Sequence, residues 1–405
     1  MATPTIVVTF DFSSGATFGY PFIIGEGVLG FNTLANAAAD VIDISDQVNN
    51  VSIKRGYNLL QEQFQAGTAT IRILDPNGDW NPTNTASPYY GKLVPLRKVR
   101  ISADGYFLFS GYTTAYNYTW DKEQNIGYVD IDLVDAFRLL NMSNITTVTG
   151  AAAGDTTGNR ITYILNTIGF PTSMRTIAAG ATTVQADPGT SRTSLQAIQN
   201  MEFSEQGAFF INPSGNAEFL SRLSIEQKSG VNPTFFSNDG TGITYRNIVT
   251  ALDDKLIINT TSINRAGGTA QTASNTASQI KYFPHSFTAT DLLVQTDAQS
   301  LDIARAYTAT RAETTLRVDS LTLDLNTPSY TAGTTAALSL DFFDTIRVKN
   351  VGQDGTIIDK TLQCMGVAHE ITPATWNTTF VTSEPIIDSF IIGSSLYGII
   401  GTSVM

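Results

Sequence analysis

Residues 65–100 read QAGTATIRILDPNGDWNPTNTASPYYGKLVPLRKVR, and this stretch decides the fold class. Residues 68–74 alternate polar and apolar side chains, the two-residue period of a strand with one face buried. Asp75-Pro76-Asn77-Gly78-Asp79 is a dense turn signal. Residues 80–91 are irregular, because Pro82 and Pro88 cannot donate to a strand ladder. Residues 96–101 return as a second strand. Strand, elaborate loop and returning strand predict antiparallel β architecture.

The rest of the composition agrees. The chain has 405 residues, enough for two to four domains. Hydrophobic residues make up 42%, which supplies a core and argues against global disorder. Only 15% of residues are charged, so Thr, Ser, Asn and Gly fill the polar positions, as suits sheets joined by turns. The net charge of −12 runs against duplex binding, which needs a basic surface to displace phosphate counterions. A single cysteine, Cys364, excludes an intrachain disulfide framework; its setting, TLQCMGVA, is that of a small core residue. The start, MATPTIVVTFDF, lacks the basic region and cleavage pattern of a secretory signal. The longest apolar stretch, 390–404, is shorter than the roughly 20 residues of a spanning helix. It is also interrupted by Gly393, Ser394, Ser395, Gly398 and Gly401, so no transmembrane segment is read.

Five segments follow along the chain: an N-terminal extension (1–45), a first β unit (46–148), an α+β segment (149–235), a second β unit with a helix (236–385) and a C-terminal tail (386–405). In the first β unit, strands are expected at 48–55, 68–74, 99–102, 106–118 and 127–134. Asp104-Gly105 forms a tight hairpin turn, and Asp135 caps a short helix. Residues 144–154 read as a linker. In the α+β segment, Ile161, Ile164, Leu165 and Ile168 make one apolar helical stripe. Thr193-x-x-Gln196 is a capping box, and a hairpin turns at 212–216. In the second β unit, residues 267–277 read as a mobile polar loop. Thr296-x-x-Gln299 caps a helix over 297–310, and strands follow at 315–325, 345–349, 360–371 and 375–383.

Chemistry-bearing residues are sparse. The two histidines, His285 in YFPHSF and His369 in VAHEIT, lie between apolar neighbours on β elements. Metal clusters commonly need several His or Cys ligands. Asp75-x-Asn77-x-Asp79 opens like a calcium loop. Trp80 and Ala86 then stand where that loop needs Gly and Glu, so the stretch reads as an Asx-rich turn. Acid pairs for glycoside hydrolysis exist by residue type at Asp253-Asp254 and at Asp130/Asp132, the latter two apart on one strand face. No phosphate loop or dinucleotide fingerprint occurs. No catalytic, cofactor-binding or metal residue is assigned.

The wording L-D-x-x-G-x-W-N-P-T-N-x-x-S-P-Y-Y-G resembles a segment of minor tail proteins of long-tailed bacteriophages, which form the tail-tip hub. SLQAIQNMEFSEQGAFFINPSGNAEF, YRNIVTALD, ASQIKYFPHSF, ETTLRVDSLTLDL, DFFDTIRVKN and VAHEITPATWNTTF follow in the family's order, across most of residues 45–385. The resemblance implies a mainly β fold similar to the baseplate hub of contractile-tailed phages: two tail-tube-like β-barrel domains and a peripheral α+β domain. It implies a homotrimer at the distal tail tip of the virion, assembled in the host cytoplasm. Its partners would be a tail tube or distal tail protein, a tape-measure protein and tail-fibre proteins. DNA would leave through its lumen without specific binding, and no enzyme activity or cofactor is implied. The alternatives are a virion-associated cell-wall or capsule glycan hydrolase and a receptor-binding adhesin. A hydrolase needs an acid pair converging in a cleft; an adhesin needs an exposed aromatic platform.

One internal echo remains. Phe22-Ile23-Ile24-Gly25-x-x-Val28-x-Gly30 matches Phe390-Ile391-Ile392-Gly393-x-x-Leu396-x-Gly398. Apolar, glycine-loosened segments of this kind are suited to adding strands or clasps to neighbouring tip proteins. Deleting residues 388–405 is therefore expected to preserve a ring of hubs but block tip assembly. Infectious particles of normal titre from the deletion would refute this role.

Overall fold

The computed structural model describes residues 4–13, 15–19, 40–58, 63–123, 125–229, 232–326 and 333–385. The two FIIG-type motifs lie outside the described residues. From the expected N-terminal extension, β1 (Ile6–Asp11) and β2 (Val41–Asp43) join the sheet of the first β unit, which holds β3 (Val48–Asn58), β4 (Gln63–Asp75), β5 (Lys98–Ala103), β6 (Tyr106–Asp121) and β7 (Ile126–Val134). All their pairings are antiparallel. Asp104 and Gly105 both take positive φ, the left-handed pair that joins two twisted strands by a two-residue turn.

The loop after β4 is pinned by its tryptophan. Trp80 is fully buried, and its indole N–H donates to Gln47 Oε1 at 2.8 Å. Its ring meets Phe10 edge-on at 5.5 Å and Tyr89 at 4.8 Å. Asn84 Nδ2 donates to the Gly78 carbonyl at 2.9 Å and Ser87 Oγ to that of Asp79, so the prolines sit in a chain of local turns.

The middle of the chain holds α1 (Phe137–Met142), β8 (Asn144–Ile145), α2 (Thr157–Thr167), β9 (Arg175–Ile177), β10 (Arg192–Thr193), α3 (Ser194–Glu205), β11 (Ala208–Ile211), β12 (Ala217–Leu220) and α4 (Arg222–Ser229). The expected Asp135 cap is not formed: α1 starts after Ala136 with no side-chain cap, and the buried Asp135 instead accepts the Phe137 N–H at 2.9 Å and the Gly67 N–H at 2.6 Å, tying the helix entry to β4. The capping box at Thr193 and Gln196 is complete. The expected linker is not free of structure, because β8 at its start pairs with β10.

The last part holds β13 (Thr234–Ser237), β14 (Asn247–Ala251), β15 (Thr260–Arg265), β16 (Gln271–Ser274), α5 (Thr276–Tyr282), β17 (Ser286–Leu292), α6 (Asp297–Arg311), β18 (Arg317–Asp324), α7 (Gly333–Ser339), β19 (Thr345–Val351), β20 (Ile357–Ile371) and β21 (Trp376–Ser383). The capping box at Thr296 and Gln299 is complete. Residues 267–277 are not one loop. They contain β16, which pairs with β15, and the start of α5. As the edge of a small outlying sheet, β16 needs few apolar side chains, so its sequence carries no strand pattern.

The fold is mainly β, and its two β units share one sheet of thirteen strands. The order is β14-β18-β21-β20-β3-β4-β7-β6-β5-β1-β2, with β19 beside β20 and β13 beside β19. One edge of the long β20 is divided between β19 and β3, while its other edge pairs with β21. Among the described residues, hydrogen bonding closes neither half into a separate barrel. A single core runs beneath both halves: Ile53, Ile71 and Ile131 from the first pack in one cluster with Leu321, Val348 and Phe380 from the second.

At the β3–β20 seam, Gly56 stands opposite Gly366. A Cβ at Gly56 would lie 2.9 Å from the Gly366 Cα and 3.1 Å from the Met365 carbonyl oxygen. Both obstacles are backbone, which cannot swing away. The middle segment docks beside this seam through aromatics packed at tilted and edge-on angles: Phe64 of β4 lies 5.2 Å from Phe210 and 4.8 Å from Phe342, and Phe210 lies 5.0 Å from Phe342. Arg55, buried at the same place, donates to the Ile211 carbonyl at 3.2 Å and pairs with Asp341 at 3.2 Å. Gly56→Ala is expected to cost about 1–3 kcal/mol through forced backbone displacement. Chemical denaturation measures it, and wild-type stability in the variant would contradict a close-packed seam.

Candidate functional site

The residues singled out by type are held in structural roles. Cys364 is fully buried, and burial pushes its thiol up, away from the reactive thiolate. His369 is buried, its Nδ1 lying 3.0 Å from Thr378 Oγ1 and 3.4 Å from Trp376 Nε1. The indole only donates, so these partners assign Nδ1 as acceptor and place the proton on Nε2. Burial, with the nearby Arg55 charge, lowers its pKa to about 3 and keeps the ring neutral. His285 Nδ1 lies 3.0 Å from the Phe283 carbonyl and its Nε2 3.5 Å from the exposed Asp254. Asp253 pairs with Arg317 at 2.9 Å and Lys255 at 3.4 Å.

The calcium-like opening is spent on backbone. Asp75 is buried; its Oδ1 accepts the Asp79 N–H at 2.8 Å and its Oδ2 the Trp80 N–H at 2.9 Å. Asn77 is exposed. Among the described residues no group of three or more His, Cys, Asp or Glu side chains could hold a metal ion.

Asp130 and Asp132 belong to something larger. Strand register aligns one outward row through Asn247, Thr322, Thr379, Ala368, Lys54 and Thr68. A second runs through Asp324, Asn377, Glu370, Ser52, Thr70 and Asp132. A third holds Asn50, Arg72, Asp130 and Asn117. The intervening residues, such as Leu323, Thr378, His369, Ile53, Ala69 and Leu133, are buried, so the rows form the solvent-facing side of the shared sheet.

This face is small, polar and acid-leaning. Its strands carry Asp130, Asp132, Asp324 and Glu370 against Lys54 and Arg72, and Arg246, just before β14, reaches Asp324 at 3.7 Å and Asn377 at 3.0 Å. Arg72 is taken up by a two-pronged pair with Asp130, at 2.7 Å for each contact. Thr70 and Asn117 donate to Asp132 at 3.0 and 2.8 Å, Ser52 to Glu370 at 2.7 Å, and Thr322 and Thr379 share a hydrogen bond at 2.9 Å. Side chains tied to neighbours in this way present acceptors and hydroxyls without a cationic groove. Sequence reading found the Asp130/Asp132 stripe but not the face, because its rows join strands from both ends of the chain. The signal was present in the outward sets Thr68-Thr70-Arg72 and Asn377-Thr379.

Solved structures share this fold. A tail protein from Neisseria meningitidis MC58 is 11% identical, covers 95% of this chain and 98% of its own, and superposes with a TM-score of 0.59. The 43 kDa tail protein of prophage MuSo2 from Shewanella oneidensis is 10% identical, covers 85% of this chain and 96% of its own, with a TM-score of 0.58. No protein-family model and no curated protein matches the sequence. The chain has the fold of these phage tail proteins.

Asp75→Ala removes the acceptor for two buried-loop N–H groups and is expected to cost about 1–3 kcal/mol. Millimolar calcium is expected to leave the wild-type melting temperature unchanged. A calcium-dependent rise that Asp75→Ala abolishes would instead make the turn a metal site.

Proposed function

We propose that the protein is a structural, non-enzymatic hub at the distal tip of a phage tail. In this reading three copies form a ring that continues the tail tube, and the polar sheet face lines the bore through which DNA leaves. The observation that carries it is the face itself: one polar surface running across both β units, on which carboxylates outnumber the cations Lys54, Arg72 and Arg246. A wall rich in Lys and Arg would gain affinity with each phosphate neutralised and would stall a moving duplex. Thr, Asn and carboxylates do not bind phosphate in that way.

Among the described residues the main run of strands ends at β14 on one side and β2 on the other, with β13 a further outer strand beside β19. Two different end strands suit a head-to-tail cyclic assembly, and two β units per chain give a sixfold-like wall from three chains. Residues 46–148 and 236–385 are the ring-forming parts in this proposal, and 149–235 is a peripheral domain. The tube or distal tail protein, the tape-measure protein and tail fibres are the proposed neighbours.

Assembled tips imaged by electron microscopy are expected to show threefold stoichiometry around a central hole. Sub-micromolar protein is expected not to retard duplex DNA at physiological salt, whereas replacing Thr68, Thr70 and Thr379 together by Lys is expected to create salt-sensitive retention in assembled rings. Duplex binding by the wild-type ring, or sixfold stoichiometry, would overturn the reading.

A further inference from the structure

A cavity of about 160 Å³ lies where β3 and the β20–β21 end of the shared sheet meet α3, α4 and α6. Tyr57, Phe343 and Met365 give it an apolar floor. Around it Arg222 and Arg311 stand with Glu226 and Glu384, two cations and two carboxylates. Arg311 is steadied over the Tyr307 ring, 5.3 Å from its centre. Glu202 is buried in the wall, where its Oε1 accepts the Phe209 N–H at 3.2 Å. Burial pushes its carboxyl up to about 8, against the pull of the Phe209 and Phe64 N–H groups that it accepts.

Size and chemistry together define what fits. An apolar cavity of roughly 150 Å³ takes up a benzene ring. Aromatic rings pack well against other rings and against methionine sulfur. Glu384 is taken up by Lys360 and Arg222 donates to Gln206 at 3.3 Å, so the rim charges are engaged and an uncharged occupant is favoured, while Gln206, Thr310 and Ser383 supply polar atoms for its hydrogen-bonding group. We infer that this cavity is a binding site for an aromatic ring bearing one neutral hydrogen-bonding group, as in a phenol. Such a group has two sources: the tyrosine side chain of a neighbouring protein, inserted as an anchor, or a free small phenol. The inference stands independently of the proposed place in a tail.

The full chain is titrated with p-cresol, with N-acetyl-tyrosine amide and with benzoate, followed by ligand-observed NMR. Saturable p-cresol binding is expected, with a dissociation constant on the order of a millimolar for so small a ligand. Benzoate, similar in size but charged, is expected to bind about tenfold more weakly. Two variants block the site: Thr310→Trp, at an exposed position on the lip in α6, and Met365→Trp, which fills the floor. Either is expected to weaken p-cresol at least about tenfold; if Met365→Trp fails to fold, Thr310→Trp decides. Binding of the tyrosine amide as well as p-cresol assigns the site to a partner's side chain, and binding of p-cresol alone assigns it to a free phenol. The inference is overturned if neither binds, if benzoate binds more tightly, or if the folded variants bind as the parent does.

Discussion

The closeness of two backbones at the β3–β20 seam is the constraint on which the molecule depends. At the end of this seam nearest the middle segment, Gly56 and Gly366 let the backbones of the two halves meet without side chains between them. The pairing sets the register of both halves at once. Because side chains alternate strictly along a strand, a slip of one residue at the seam would turn the polar rows of one half inward. The single core, the continuous polar face and the docking position of the middle segment therefore all follow from one strand pair.

The middle segment is fixed by a different kind of force. Phe64, Phe210 and Phe342 come from three separate stretches, and their mutual packing is apolar and edge-biased. Arg55 adds direction, since its guanidinium lies over Phe342 at 4.7 Å while reaching the Ile211 carbonyl and Asp341. Removing an arginine of this kind loses packing as well as charge. The arrangement holds the helical middle segment against the sheet beside the seam.

What was legible in the sequence was local. The alternation before Asp75, the capping boxes at Thr193 and Thr296, and the Asp104-Gly105 turn each carry their cause within a few residues, and each stands in the structure. Elements whose cause is tertiary were missed. In α4 the pattern is inverted: Leu223 is exposed while Glu226 and Ser229 are buried, so no apolar stripe marks it. Helix α7 is built from Gly333, Thr334 and Thr335, poor helix formers, and is held by burial of Ala336, Ala337 and Leu338. The polar face was visible only as the fragment Asp130/Asp132, since period-two alternation says which residues share a side of one strand but not which strands lie next to each other. The cavity was invisible for the same reason.

The seam also places a demand on synthesis. Ser52 and Glu370, hydrogen-bonded across it, are 318 residues apart. At roughly 5–20 residues per second, β3 emerges about 15–60 s before its partner β20 exists. During that interval one edge of an otherwise complete antiparallel sheet stands open, and open edges recruit the wrong strands. Lys54 and Arg55 lie in the middle of β3, where two copies of the same edge would bring like charges together. The nascent first half thus carries its own deterrent to self-pairing, one that becomes harmless once β20 arrives with Glu370 two positions along.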